Sequence, residues 1–310
     1  MARAKASFLA ELEFRLGVAL PVAIVRSLSL PRAFRLGEAL GGAAYRLARP
    51  QRRTALVNLR IAFPERSEAE HLEIVRATCR NLGRMAAEFC HMHEITAANV
   101  AERVTFADKA YWDANNHIIG TTGILVLTGH YGNWELLAHA MGMYGTPVHF
   151  IHRPFRNPVF GRFVDAERSR AGTGLISKRS AAREAVKILH SNGIVAVPYD
   201  QNATGRWGVF ADFFGVPAST HPGLARLAQM SGSPVYPVFL VRQDGSLRHQ
   251  IVILPEVELV RGGDRASDTV ENLTRLNRVF AEMVRRHPDH WIWMHKRWRT
   301  RPPGEPSLYR

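Results

Sequence analysis

The segment Thr128-Gly-His-Tyr-Gly-Asn-Trp-Glu135 holds the side chains best placed for chemistry. A run of buried-strand character ends, two glycines bracket His130, a helix begins at Asn133, and Glu135 falls in its first turn. A turn between the two would fold the Glu135 carboxylate back against the imidazole, holding one ring nitrogen protonated and leaving the other as a base. Such a base strips a hydroxyl of its proton for attack on a carbonyl carbon, a contribution of roughly 10²–10⁴-fold. Backbone N–H groups at the helix start are candidate oxyanion donors. The same two residues could merely pack and cap, and the segment alone leaves both readings open. Other chemistries lack their patterns: there is no G-x-S-x-G elbow, no G-x-x-x-x-G-K-[ST] loop and no H-E-x-x-H pair. Cys90-His91-Met92-His93 fits no zinc spacing, so no metal and no cofactor are expected.

A base needs a rigid mount. From residue 117 short apolar runs alternate with helical stretches. Strands are expected at Ile124–Thr128, Val148–Ile151, Ile194–Val197, Val235–Val241, Gln250–Leu254 and Trp291–His295. Helices are expected at Asn133–Met143, Ala181–Ser191, Pro222–Met230 and Thr269–Arg286. This alternation implies an α/β fold, a mostly parallel central sheet flanked by helices. Ligands in such sheets bind at the carboxyl ends of strands, which is where His130 falls. Upstream, Ser67 and Glu70 form a capping box opening a helix to about His93, and Pro21, Pro31 and Pro50 break the first fifty residues into basic apolar helices. The division expected is a membrane-associated helical segment over 1–50 and a larger domain over 51–310, with a helical preface (51–116) and an α/β catalytic core (117–302).

Further polar residues fall at strand ends. Arg153 and Arg156, stiffened by Pro154 and Pro158, could aim a guanidinium at phosphate or at a developing oxyanion, or form a solvated loop. Asp200 follows the strand 194–197 near the edge that carries His130; it could hydrogen-bond a sugar, hold Arg153, or be a turn carboxylate. Asn133, Arg153, Arg156, Asp200 and Gln201 are the candidate substrate-binding residues. Phe213-Phe214-Gly215 suits either an apolar channel or the core, and Thr220 to Pro222 suits a helix cap.

Lys and Arg number 41 against 27 Asp and Glu, a net charge of +14 that favours an anionic partner. Two cysteines make no disulfide framework and suit a reducing compartment. Leu16 to Val25 is apolar, but Arg15 and Arg26 fence it in, and a spanning helix needs ~20 apolar residues. Unless Arg26 snorkels or residues 8–14 join, the run falls short. No signal-type cleavage site follows. A helix lying on or barely crossing the membrane, with basic flanks for anionic lipid, is expected; a soluble amphipathic helix on the core is the alternative. Trp291, Trp293 and Trp298 alternate with Lys296, Arg297, Arg299 and Arg301, a composition suited to a membrane boundary, single-stranded nucleic acid, or, for the first two, the core. A non-catalytic basic binder would use these features too, but no helix-turn-helix, zinc or RNA-binding signature is present, and no nucleic-acid partner is expected.

His130, four intervening residues and Glu135 resemble the H-x4-D/E box of the glycerolipid-type acyltransferases, most closely the lipid A biosynthesis acyltransferases, the late lauroyl/myristoyl-type enzymes of Gram-negative bacteria. The resemblance extends to Arg52–Pro64, to His152-Arg153-Pro154 with Asn157-Pro158, to Asp200-Gln201 with Phe213-Phe214-Gly215, Ala218 and Thr220, and to Trp293–Pro302, in the family's order over roughly residues 50–302. It implies an acyl-carrier-protein thioester as donor, a Kdo-bearing lipid A precursor as acceptor, attachment to the cytoplasmic face of the inner membrane, and His130 with Glu135 as the catalytic dyad. The alternative is another membrane acceptor, such as a lysophospholipid or a glycosylated lipid, because the same base serves any hydroxyl.

Overall fold

The computed structural model describes residues 15–309 except 153–154, 156 and 178–179. A π-helical turn (Arg15–Ala19) leads into helices α1 (Leu20–Ser27), α2 (Leu30–Leu47), α3 (Arg49–Ala62) and α4 (Glu68–Cys90). Pro21, Pro31 and Pro50 each sit in a first turn, where the missing N–H has no intrahelical partner to lose. The Ser67–Glu70 box opens α4 as its spacing predicts, and the helix stops at Cys90. Helices α2 and α4 cross at glycines. A Cβ on Gly83 would lie 1.9 Å from the Gly37 carbonyl oxygen, and one on Gly41 2.2 Å from that of Cys79. Gly83→Val should therefore force the helices apart, cost roughly 1–3 kcal/mol and lower the melting temperature in a thermal scan. Gly42→Ala, with nothing within 4 Å, should leave it unchanged or slightly raised.

No helix among the described residues is long and apolar enough to cross a membrane. Arg26 does not reach outward: its Nε donates to the Cys90 carbonyl and its guanidinium pairs with the buried Glu167 at 3.1 Å.

The chain continues through α5 (Val100–Arg103), β1 (Val104–Phe106), α6 (Lys109–Asn115), β2 (Ile124–Thr128), α7 (Trp134–Met143), β3 (Val148–His152), α8 (Pro158–Ser169), β4 (Gly174–Ser177), α9 (Ala181–His190) and β5 (Ile194–Pro198). A hairpin of β6 (Val209–Phe213) and β7 (Val216–Thr220) follows, then α10 (Gly223–Ser231), β8 (Val235–Arg242), β9 (His249–Ile253) and α11 (Arg265–Arg286). Seven strands form one sheet in the order β1-β9-β8-β2-β5-β3-β4, parallel throughout except between β8 and β9.

Strand β2 is buried along its whole length, as a strand covered on both faces must be. Ile124 and Val126 pack with Leu136, Leu137 and Met141 of α7 on one face. Leu125 and Leu127 pack with Leu189 of α9, Leu224 of α10 and Leu273 and Leu276 of α11 on the other. A third cluster joins α3 and α4 to the carboxyl-terminal segment through Trp291, Trp293, Trp298, Phe213 and Phe280.

Residues 291–295 are not a strand. Trp291 makes one isolated bridge with Tyr131, and the chain then turns, with the amides of Arg297 and Arg299 donating to the carbonyls of His295 and Lys296. The three tryptophans are fully buried, which removes them from any membrane boundary, and Arg297 is buried beside them. Its guanidinium donates to the Ser219 carbonyl and the Thr220 hydroxyl, and burial lowers its pKa to about 10. Thr220 thus anchors Arg297 and caps no helix. Phe214 and Gly215, at φ 57° and 77°, form the turn of the β6–β7 hairpin, and Phe213 sits in the core.

Candidate functional site

Strands β2 and β5 lie side by side with Thr128 opposite Pro198. Two residues beyond each, at one level of the sheet edge, stand His130 and Asp200. His130 Nδ1 is 3.0 Å from Asp200 Oδ1. A carboxylate only accepts, so Nδ1 carries the hydrogen and Nε2 has the free lone pair; among the described residues no hydrogen bond engages Nε2. Asp200 is buried, and its Oδ2 accepts from Trp291 Nε1 at 2.9 Å. Burial alone would raise its pKa, but the His130 charge and hydrogen bonds from His130 and Trp291 hold the carboxyl far below the usual range. Burial in turn pushes the imidazole down. The Asp200 charge and hydrogen bond, with Glu135 adding, more than reverse this, and the His130 pKa is raised.

Both glycines around His130 are needed. A Cβ on Gly129 would lie 2.5 Å from the Phe280 ring and 3.0 Å from Asp200 Cγ. Gly132 has φ 56°, and its Cβ would meet the Leu240 carbonyl oxygen at 1.9 Å.

The expected partner of the imidazole was Glu135; the carboxylate hydrogen-bonded to it is Asp200. Glu135 is held by Arg168 of α8, through Nε at 2.9 Å and Nη2 at 2.6 Å, and by Trp134 Nε1 at 3.1 Å. Its first-turn position in α7 directs it toward α8, while the register of β5 delivers Asp200 to the ring nitrogen. Glu135 acts on His130 through charge, and Arg168 partly offsets it.

Asn133 does not face the site. Its Oδ1 caps α7 by accepting from the Leu136 amide, and its Nδ2 donates to Glu88 at 2.9 Å. Glu88 lies at the centre of a buried group, accepting also from Arg242 at 2.6 and 2.7 Å and from His249 at 2.9 Å. Burial would raise its pKa, but His249 and Arg242 hold the carboxyl far below the usual range. Asp200, expected among the substrate-binding residues, instead spends one oxygen on His130 and the other on Trp291. Gln201 stands exposed at the rim, its amide nitrogen 3.5 Å from a ring nitrogen that already carries a hydrogen, too long for a bond. Arg153 and Arg156 lie outside the described residues.

Sequence reasoning missed Arg168, Glu88 and the role of Trp291. Asn157-Pro158, an N-cap followed by a first-turn proline, is a signal for α8 and so for a helical Arg168. Nothing local links Arg168 to Glu135.

An apolar cavity lies against the α7 face of the sheet. The space between its walls is about 710 Å³, including its open mouth. Its lining runs from Thr128, two residues before His130, along Val126 and Ile124 of β2, with Ala138 and Met141 of α7 above and Ala196 of β5 beside. Following β2 from end to end makes it about 13 Å long. Phe213 and Phe214 take no part in it.

A family model described as bacterial lipid A biosynthesis acyltransferase matches residues 3–300. The chain is similar to the lipid A biosynthesis lauroyltransferase of Escherichia coli (strain K12), 27% identical over 287 residues, which is 92% of this chain and 91% of that protein. It is similar to the palmitoleoyltransferase of the same strain, 26% identical over 275 residues (88% and 87%), and to the myristoyltransferase, 25% over 271 residues (87% and 82%).

Proposed function

Because the chain belongs to the bacterial lipid A biosynthesis acyltransferase family, we propose that it moves a fatty acyl chain from an acyl-carrier-protein thioester to a hydroxyl of a lipid A precursor, with His130 as the base. The observation that carries this reading is an imidazole whose Nδ1 is fixed by a buried carboxylate, at the end of a strand that also walls an apolar cavity.

His130 Nε2 takes the proton of the acceptor hydroxyl as its oxygen attacks the thioester carbonyl carbon. The tetrahedral intermediate collapses, the carbon–sulfur bond breaks, and the imidazolium returns the proton to the leaving thiolate, giving an ester and a thiol. Asp200 keeps Nδ1 protonated and stabilises the imidazolium. Glu135 adds negative charge nearby, and Arg168 restrains it. The cavity takes the acyl tail. The net charge of +14 suits phosphate-bearing partners, and Arg153 and Arg156 are candidate contacts to them. Gln201, at the rim, is a candidate contact to the acceptor.

The chain works on the cytoplasmic face of the inner membrane. Leu16, Leu20 and Ile24 are exposed at a four-residue spacing, which lines one side of a helix, and Leu40 and Leu47 are exposed on α2 among arginines. Apolar and basic residues together suit a helix lying in a bilayer surface.

The test is transfer from lauroyl, myristoyl and palmitoleoyl carrier-protein thioesters to a Kdo-bearing lipid A precursor, followed by mass spectrometry. Acylated lipid A precursor is expected. Acylation of a lysophospholipid with the precursor untouched would overturn the acceptor. Ala196→Phe, which fills the cavity beside β2, should favour the shortest donor by about tenfold or more over wild type; an unchanged preference would remove the cavity from the acyl path.

A further inference from the structure

We propose that Trp291 is a positioning residue for the reaction, fixing Asp200 so that its other oxygen stays aimed at His130. The proposal rests on the reading of His130 as base. The segment 290–292 binds the His130 loop twice through the backbone. The Gly132 amide donates to the His290 carbonyl at 2.8 Å, and the Ile292 amide donates to the His130 carbonyl at 3.3 Å. Between these contacts the Trp291 indole reaches inward and donates to Asp200 Oδ2 at 2.9 Å.

The indole itself cannot shift. It is 1% exposed, with ring centroids of Trp293 at 4.6 Å, Phe213 at 5.7 Å and Phe280 at 6.1 Å, all at steep angles. A carboxylate with one oxygen on a fixed donor loses its freedom to rotate about Cβ–Cγ, so its second oxygen is presented to His130 in one orientation. Without the indole N–H, Asp200 keeps its charge and its contact with the His130 backbone but loses the donor that fixes Oδ2. The loop and the carboxylate are thus held by one short stretch of chain, and the distance between His130 and Asp200 is set by a residue that touches no substrate.

Trp291→Phe keeps the ring packing and removes the donor. Loss of a hydrogen bond to a charged group predicts a fall in kcat of roughly 10–100-fold, with KM for donor and acceptor within about twofold of wild type, because binding contacts are untouched. In an Asp200→Asn background the same substitution should add nothing further. A purely structural role would instead lower the folded fraction and add its loss in both backgrounds. A second measurement needs no variant at position 291. With nitrogen-labelled indoles, the Trp291 N–H resonance should titrate with His130 through the shared carboxylate and become flat in His130→Ala.

Wild-type kcat in a folded Trp291→Phe, equal losses in the two backgrounds, or an indole resonance indifferent to His130 would each overturn the proposal. If His130→Ala itself keeps full activity, it is the underlying reading that fails.

Discussion

His130→Ala should abolish measurable transfer, a loss of at least roughly 10²–10⁴-fold in kcat, while leaving the fold in place. The imidazole is partly exposed, hydrogen-bonded through Nδ1 to Asp200 and edge-on to the Trp134 ring. The surrounding core is carried by Tyr131, Phe239, Phe280 and Trp291, which the substitution does not touch. A thermal scan should therefore show a melting temperature within a few degrees of wild type, and KM for the thioester should change little, because His130 does not line the cavity proposed for the acyl tail. Substantial turnover in this variant would end the account of the site.

Asp200→Asn should have the next largest effect, with a direction in pH that can be worked out beforehand. Asp200 is ionised across the range in which His130 titrates, because its carboxyl is held far below the usual carboxylate range. Its charge lifts the imidazole pKa, so wild-type activity should rise with pH along a limb centred above the ordinary histidine value of about 6.5. The amide removes that charge, and burial then pulls the imidazole down against the weaker pull of Glu135. The limb should move to lower pH while the plateau falls by roughly 10²-fold or more. Stability follows the same linkage. A raised folded pKa means that the contribution of His130 is complete below its unfolded pKa and fades as pH rises through its folded value. The wild type should lose this increment on going from mildly acid to mildly alkaline buffer, and Asp200→Asn should not. A limb that stays in place would show that the two side chains are not coupled.

The edge strands β1 and β4, of three and four residues, were too short to give an apolar run, but five strands of the central sheet, β2, β3, β5, β8 and β9, were legible as short apolar runs closed by turn residues. The β6–β7 hairpin was not, because its turn places a phenylalanine at positive φ, a choice no turn preference favours. His130 was legible because a strand, two glycines and a helix start surround it within eight residues. The carboxylate hydrogen-bonded to it is not the expected one, for a physical reason. Glu135 is near in sequence, but a helix's first turn fixes where its side chain points. Asp200 is far in sequence, yet parallel register with β2 brings it level with the imidazole. Asn133 looked available because an N-cap and a ligand are the same residue type. Glu88 gave no signal, since an acid on an amphipathic helix reads as solvated until Arg242, His249 and Asn133 arrive from distant elements.

Ribosomal synthesis runs from the amino end, so His130 and Asp200 emerge well ahead of Trp291. Until residues 290 and 291 arrive, the Gly132 amide lacks the His290 carbonyl and Asp200 Oδ2 lacks its indole donor. On the proposed reading, a polypeptide that stops just short of Trp291 carries both side chains of the pair without the indole that holds Asp200 Oδ2.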